Sequence, residues 1–105
     1  MFGDLFGNLH KQQEEMQQKL AAIFVEAEAG DGAVTVKAGA DMHLENIKID
    51  GAKLDLTDTE QLEDLVLEAV NRALDLAREQ AAVESGKLLQ QMMPPGADFD
   101  VMMKM

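Results

Sequence analysis

Few side chains in this chain have the type and spacing for covalent or metal chemistry. His10 and His43 are its two histidines, and neither stands at metal-ligand spacing from a second donor. Ser85 is the sole serine. It falls late in an expected helix without a neighbouring base, which argues against a Ser–His–acid site. Cysteine is absent, so thiol catalysis and disulfides are excluded. Gly30-Asp31-Gly32 has no phosphate-loop lysine after it and reads as a hairpin turn. The sequence therefore predicts no catalytic residue, no metal site and no cofactor, and the chain reads as a non-enzyme.

What remains is ionic chemistry. Lys11 and Lys19 stand a little over two helical turns apart. They can reach two phosphates of duplex DNA, with Gln12, Gln13, Gln17 and Gln18 adding neutral hydrogen bonds. The competing reading is a solvated face, since Glu14 and Glu15 lie between them. Arg72, Arg78 and Lys87 complete the set of candidate phosphate contacts on the expected helices. For the two arginines the alternative is pairing along the helix with Glu68 and Asp75. From Asp55 to Glu68 there are six acids and no base: Asp55, Asp58, Glu60, Glu63, Asp64 and Glu68. They suit a basic protein partner or a weak divalent cation, although no EF-hand pattern is present. The plainer alternative is a set of acids at a helix N-terminus and on a solvated face.

The balance of charge bears on both readings. The 105 residues carry 9 Lys+Arg against 20 Asp+Glu, a net charge of −11 that repels polyanions at long range. Trp and Tyr are absent and there are four Phe, so base stacking on aromatic platforms is disfavoured. No apolar run approaches the length of a membrane span. The start of the chain lacks a basic stretch followed by an apolar core, so no secretory signal is expected and a cytoplasmic location fits.

The elements that must position these residues follow from periodicity. Leu5, Leu9, Met16, Leu20 and Ile23 recur at helical spacing, predicting a first helix from about Asp4, as its cap, to Leu20 or Ile23. Val25, Ala27 and Ala29 alternate with Glu26 and Glu28, which predicts a strand. Val34, Val36 and Ala38 form its hairpin partner. A third strand runs from Met42 to Ile49. Its apolar positions change parity between Leu44 and Ile47, so a bulge is expected at Glu45-Asn46. Thr57 or Asp58 can cap a second helix, with Glu60 or Gln61 completing a capping box. No Pro or Gly interrupts that helix before Gly86. At about 1.5 Å per residue it outreaches a three-stranded sheet, so part of it should project.

Leu62, Leu65, Val66, Ala69, Val70, Ala73, Leu76 and Ala77 form one stripe on the second helix. Leu67, Leu74, Ala81 and Leu88 recur every seven residues along its edge. That arc is wider than one sheet can cover, which predicts a homodimer with the edge residues at its interface. Residues 1–91 read as one domain. Residues 92–105, rich in Pro and Met, read as a tail, either flexible or strapped on the dimer.

Several segments resemble one family. They are Met1-Phe2, Leu9-x-Lys11-Gln12, Met16-Gln17-x-Lys19, Val34-x-Val36, Ile47-x-Ile49-Asp50 and Pro94-Pro95-Gly96. The most specific is Leu62-Glu63-Asp64-Leu65-Val66-x-x-Ala69-x-Asn71-x-Ala73. Their order and spacing resemble the YbaB/EbfC-type nucleoid-associated proteins. That resemblance implies an α+β fold with an α-β-β-β-α protomer, a three-stranded antiparallel sheet and two long helices in a tweezer-like homodimer. It also implies duplex DNA binding with little sequence preference, at the nucleoid. Members often carry Arg or Lys on the turns after the last motif, where this chain has Asp75, Leu76, Ala82 and Glu84. The acidic composition predicts weak DNA binding, and its alternative is an acidic dimeric adaptor for a basic protein.

Overall fold

A computed structural model describes residues 2–92, with side chains over residues 5–91. In chain order the elements are helix α1 (Phe2–Ala21), strands β1 (Phe24–Ala29), β2 (Val34–Gly39) and β3 (Leu44–Ile49), a 3-10 turn at Gly51–Lys53, and helix α2 (Thr59–Met92). The α-β-β-β-α order matches the sequence expectation. The expected tail lies outside the described residues, apart from its first residue, Met92, which ends α2.

Local chemistry explains most of the boundaries. From Lys11 onward helix α1 is built from good helix formers, Gln, Glu, Leu, Met, Lys and Ala. It already begins at Phe2, so Asp4 lies within its first turn and is not the residue before it. Gly30, Asp31 and Gly32 all take positive φ, and the Ala33 amide donates to the Gly30 carbonyl to close the first hairpin. Met42 also has positive φ (71°) and belongs to the second turn, so β3 starts two residues later than its periodicity suggested. The Asp58 carboxylate accepts from the Gln61 amide at 3.1 Å and caps α2, while the Thr57 hydroxyl turns to Asp55. Gly86 does not end α2. A Cβ there would meet nothing within 4 Å, and the helix runs six residues further.

The sheet is antiparallel in the order β1-β2-β3. Lys37 pairs with Asn46, but Ala38 pairs with Leu44, so Glu45 is the extra residue of a β-bulge. The bulge restores Leu44, Ile47 and Ile49 to one face, opposite Ala38, Val36 and Val34.

Helix α2 packs on that face, mainly over β1 and β2. Ala29, Val34, Val36 and Ala38 meet Ala69 and Ala73, with Ala77 also buried further along the helix. Alanines on both sides let helix and sheet approach closely. Arg72 adds a polar tie, donating from Nη1 to the Glu28 carbonyl at 2.8 Å. The core is thin, with Val34 and Val36 its largest fully buried side chains. Thirty-four residues make α2 about 51 Å long, so it runs well past the sheet. The described chain is accordingly elongated, 62 × 36 × 17 Å.

Candidate nucleic-acid and partner surfaces

The projecting half of α2 lies beside α1. Gln12, Glu15, Met16 and Lys19 from α1 line a cleft with Leu88 of α2. At the sheet end of this cleft sits Glu84, the one charged residue buried among the described residues, 7% exposed as a whole. Its Oε2 lies 3.0 Å from Lys19 Nζ of α1, an ion contact outside hydrogen-bond angles. Its Oε1 accepts from Lys87 Nζ at 3.2 Å. The two ammonium groups hold the Glu84 carboxyl below its ordinary pKa, Lys19 first, with partial burial opposing them.

The five cations singled out from sequence are therefore not equivalent. Lys19 and Lys87 converge on Glu84. Arg72 pairs with Glu68 and Arg78 with Asp75, the latter at 3.0 Å, as helical spacing allows. Only Lys11 of the five makes no ion pair among the described residues. Two more cations stand on the sheet face turned away from α2. Lys37 lies over the Phe24 ring, 4.6 Å from its centroid, and Lys48 is exposed on β3. Reading the helices alone passed over both. Alternation could have found them, because each flanks a core-facing position of its strand.

Glu84 was also passed over, though its position carried a signal. It continues the buried series Ala69, Ala73, Ala77 at seven residues beyond the last. An acid in an apolar register position demands a cationic partner.

The six acids between Asp55 and Glu68 are all exposed. Hydrogen bonds from the Thr57 hydroxyl and amide lower the Asp55 pKa. Asp58 serves as the cap and Glu68 pairs with Arg72, while Glu60, Glu63 and Asp64 have no cation partner among the described residues. His10 contacts Glu14 as an exposed local pair, and the exposed His43 ring contacts the mostly covered Asp41 carboxylate. The described residues contain no group of three or more His, Cys, Asp or Glu able to hold a metal. No helix among them is long and apolar enough to cross a membrane.

The apolar surface is concentrated where α2 leaves the sheet bare. Leu44, Ile47 and Ile49 of β3 stay exposed, Ile47 by 42%, although they belong to the core-facing side. Ile49 continues into a depression lined by Leu62, Val66, Leu67 and Val70. Leu67 is 60% exposed, Leu88 is exposed, and Leu74 and Ala81 are half-buried. A second apolar group lies on the arms, with Leu5, Phe6 and Leu9 on α1 and Val83 and Leu89 on α2.

Comparison with known proteins adds an independent line. The model of the YbaB/EbfC DNA-binding family matches residues 1–92. A nucleoid-associated protein of Moorella thermoacetica is 39% identical over 100 residues, covering 86% of this chain and 96% of that one. A nucleoid-associated protein of Myxococcus xanthus is 45% identical over 83 residues, covering 79% of each. Among solved structures, an uncharacterized protein from Helicobacter pylori superposes with a TM-score of 0.68 at 20% identity. That match covers 84% of this chain and 92% of the other, and it speaks to the fold.

Proposed function

This chain belongs to the YbaB/EbfC DNA-binding family, and from that premise we propose that it is a nucleoid-associated protein of the cytoplasm that binds duplex DNA as a homodimer with little sequence preference. The observation that carries the DNA reading is the family match, which runs across both helices and the whole sheet. The homodimer reading draws on the bare side of β3. Leu44, Ile47 and Ile49 with Leu67 make a continuous apolar surface of the kind that marks an interface. Burying the rest of each such side chain is worth about 1 kcal/mol. The edge residues Leu67, Leu74, Ala81 and Leu88 extend that surface along α2. The protein acts by binding and not by catalysis.

The mechanism is contact with phosphates. Lys11 is available at once, whereas Lys19, Arg72, Arg78 and Lys87 must share their charge with a carboxylate. Two chains of −11 repel the duplex before contact. Binding is therefore weak and lost at moderate salt, with a log–log slope of about −0.9 for each phosphate neutralised. Phosphate contacts carry no base information, which accounts for the low sequence preference.

A second reading rests on Glu60, Glu63 and Asp64, exposed without cation partners: an acidic dimeric adaptor for a basic protein. A fluorescent duplex titrated at two salt concentrations separates the two, with a basic family member as control. A salt-sensitive shift, equally weakened for all sequences by K11Q/K19Q, supports DNA binding. No shift even at low salt transfers the lead to the adaptor. Sedimentation of wild type and Ile47→Asp tests assembly: a dimer at micromolar concentration that the substitution splits is expected. A monomeric wild type overturns the homodimer.

A further inference from the structure

We propose that Lys19 and Lys87 form one phosphate-binding site bridging the two helices, and that Glu84 sets its affinity by neutralising one of the two charges. This rests on the DNA-binding reading above. The geometry is that of an anion site with an anion already in it. Two ammonium groups from different helices converge on the two oxygens of a single carboxylate, at 3.0 and 3.2 Å. A carboxylate is the protein's own closest counterpart of a phosphate's oxygens, and both bind cations through charge-assisted contacts.

Exposure gives the site its direction. The Glu84 side chain is 9% exposed, while those of Lys19 and Lys87 are 55% and 59% exposed. The carboxylate thus sits beneath the pair, and the outer sides of both ammonium groups face solvent. A backbone phosphate can approach from there and meet two donors held together in advance. Lys19 also occupies the last turn of α1, where the negative end of the helix dipole favours a cation but offsets part of its charge. With Glu84 ionised, the cluster carries a net charge of about +1. Without that charge it carries about +2, so a second, adjacent phosphate of the duplex can be neutralised there and one more counterion per protomer is released.

The other helix cations lack this arrangement. Arg72 and Arg78 each pair with one exposed acid on their own helix, and Arg72 is further held by the Glu28 carbonyl. Neither brings two cations from separate elements to one point.

The test is a titration of a fluorescent duplex with wild type, Glu84→Gln and K19Q/E84Q/K87Q across a salt series. Glu84→Gln keeps the side-chain size and removes the charge. Its binding should tighten several-fold at low salt, and its log–log slope should steepen by about 0.9 per protomer. The triple variant should fall below wild type. Excess inorganic phosphate should reverse the gain, whereas a gain insensitive to it would place the added contact elsewhere and overturn the site. If Glu84→Gln loses helix content by circular dichroism, Lys87→Gln decides instead. It should flatten the wild-type slope by about 0.9 per protomer, and an unchanged slope overturns the proposal. If wild type binds and Glu84→Gln binds no better, the Glu84 proposal fails while the DNA reading stands. If neither binds at low salt, both fail.

Discussion

The sheet-proximal half of this molecule and its projecting arms are held together by different physics. Near the sheet, alanines and valines from β1, β2 and α2 exclude water, and order comes from apolar burial. Along the arms, α1 and the distal half of α2 meet through long side chains and one ionic cluster around Glu84. The first arrangement is insensitive to salt and pH. The second responds to both, because its central contact is a charge between two charges.

The largest expected effect contrasts one substitution in each half. Val36→Asp places a charge in the core with no partner and should cost at least about 3 kcal/mol, a large share of the stability of a small domain. Val83→Asp, half-exposed on the arm, should shift the thermal midpoint little. Thermal unfolding followed by circular dichroism checks both, and equal losses would abolish the distinction.

A smaller effect is expected from pH. The Glu84 carboxyl has its pKa lowered in the folded chain from an ordinary value of 4.5, by Lys19 and then Lys87. A group with a depressed folded pKa stabilises the folded form above its unfolded value. That contribution fades as pH falls from about 4.5 through the lower folded value. The arms should therefore loosen in acid before the sheet does. Cysteine is absent, so labels on cysteines introduced at Gln13 and Gln91 would report the distance between the helices. A distance unchanged while the sheet unfolds would mean that Glu84 does not hold the arms.

The smallest effect belongs to Gly86. It lies inside α2 with open space where a Cβ would be, so Gly86→Ala should stabilise the arm by about 0.5–1 kcal/mol. Hydrogen exchange should slow in the distal turns of α2 and stay unchanged in β2. Faster exchange in the arm would show that the glycine serves a bend.

Much of this architecture was legible in residue patterns because the patterns are local. The change of parity between Leu44 and Ile47 required a bulge, and Glu45 provides it. Thr57 and Asp58 both suited the start of α2, and Asp58 takes the capping role. Other boundaries were not legible. Asp4 suits a cap, yet α1 begins at Phe2, and Gly86 suits a stop, yet α2 passes through it. Helix preferences are small per residue, and neighbouring turns override them.

The candidate site divides in the same way. Sequence by itself determined which cations exist, that acids outnumber them, and that Arg72 and Arg78 have acids within helical reach. It also determined that α2 has more apolar surface than one sheet can cover. Tertiary structure alone decided that α2 covers β1 and β2 and leaves Leu44, Ile47 and Ile49 of β3 exposed, because that depends on where one helix crosses a sheet. It alone brought Lys19 to Glu84, 65 positions away in the chain. The physical reason is range: periodicity and capping act within a few residues, whereas a carboxylate shared by two helices exists only after the chain has folded back on itself.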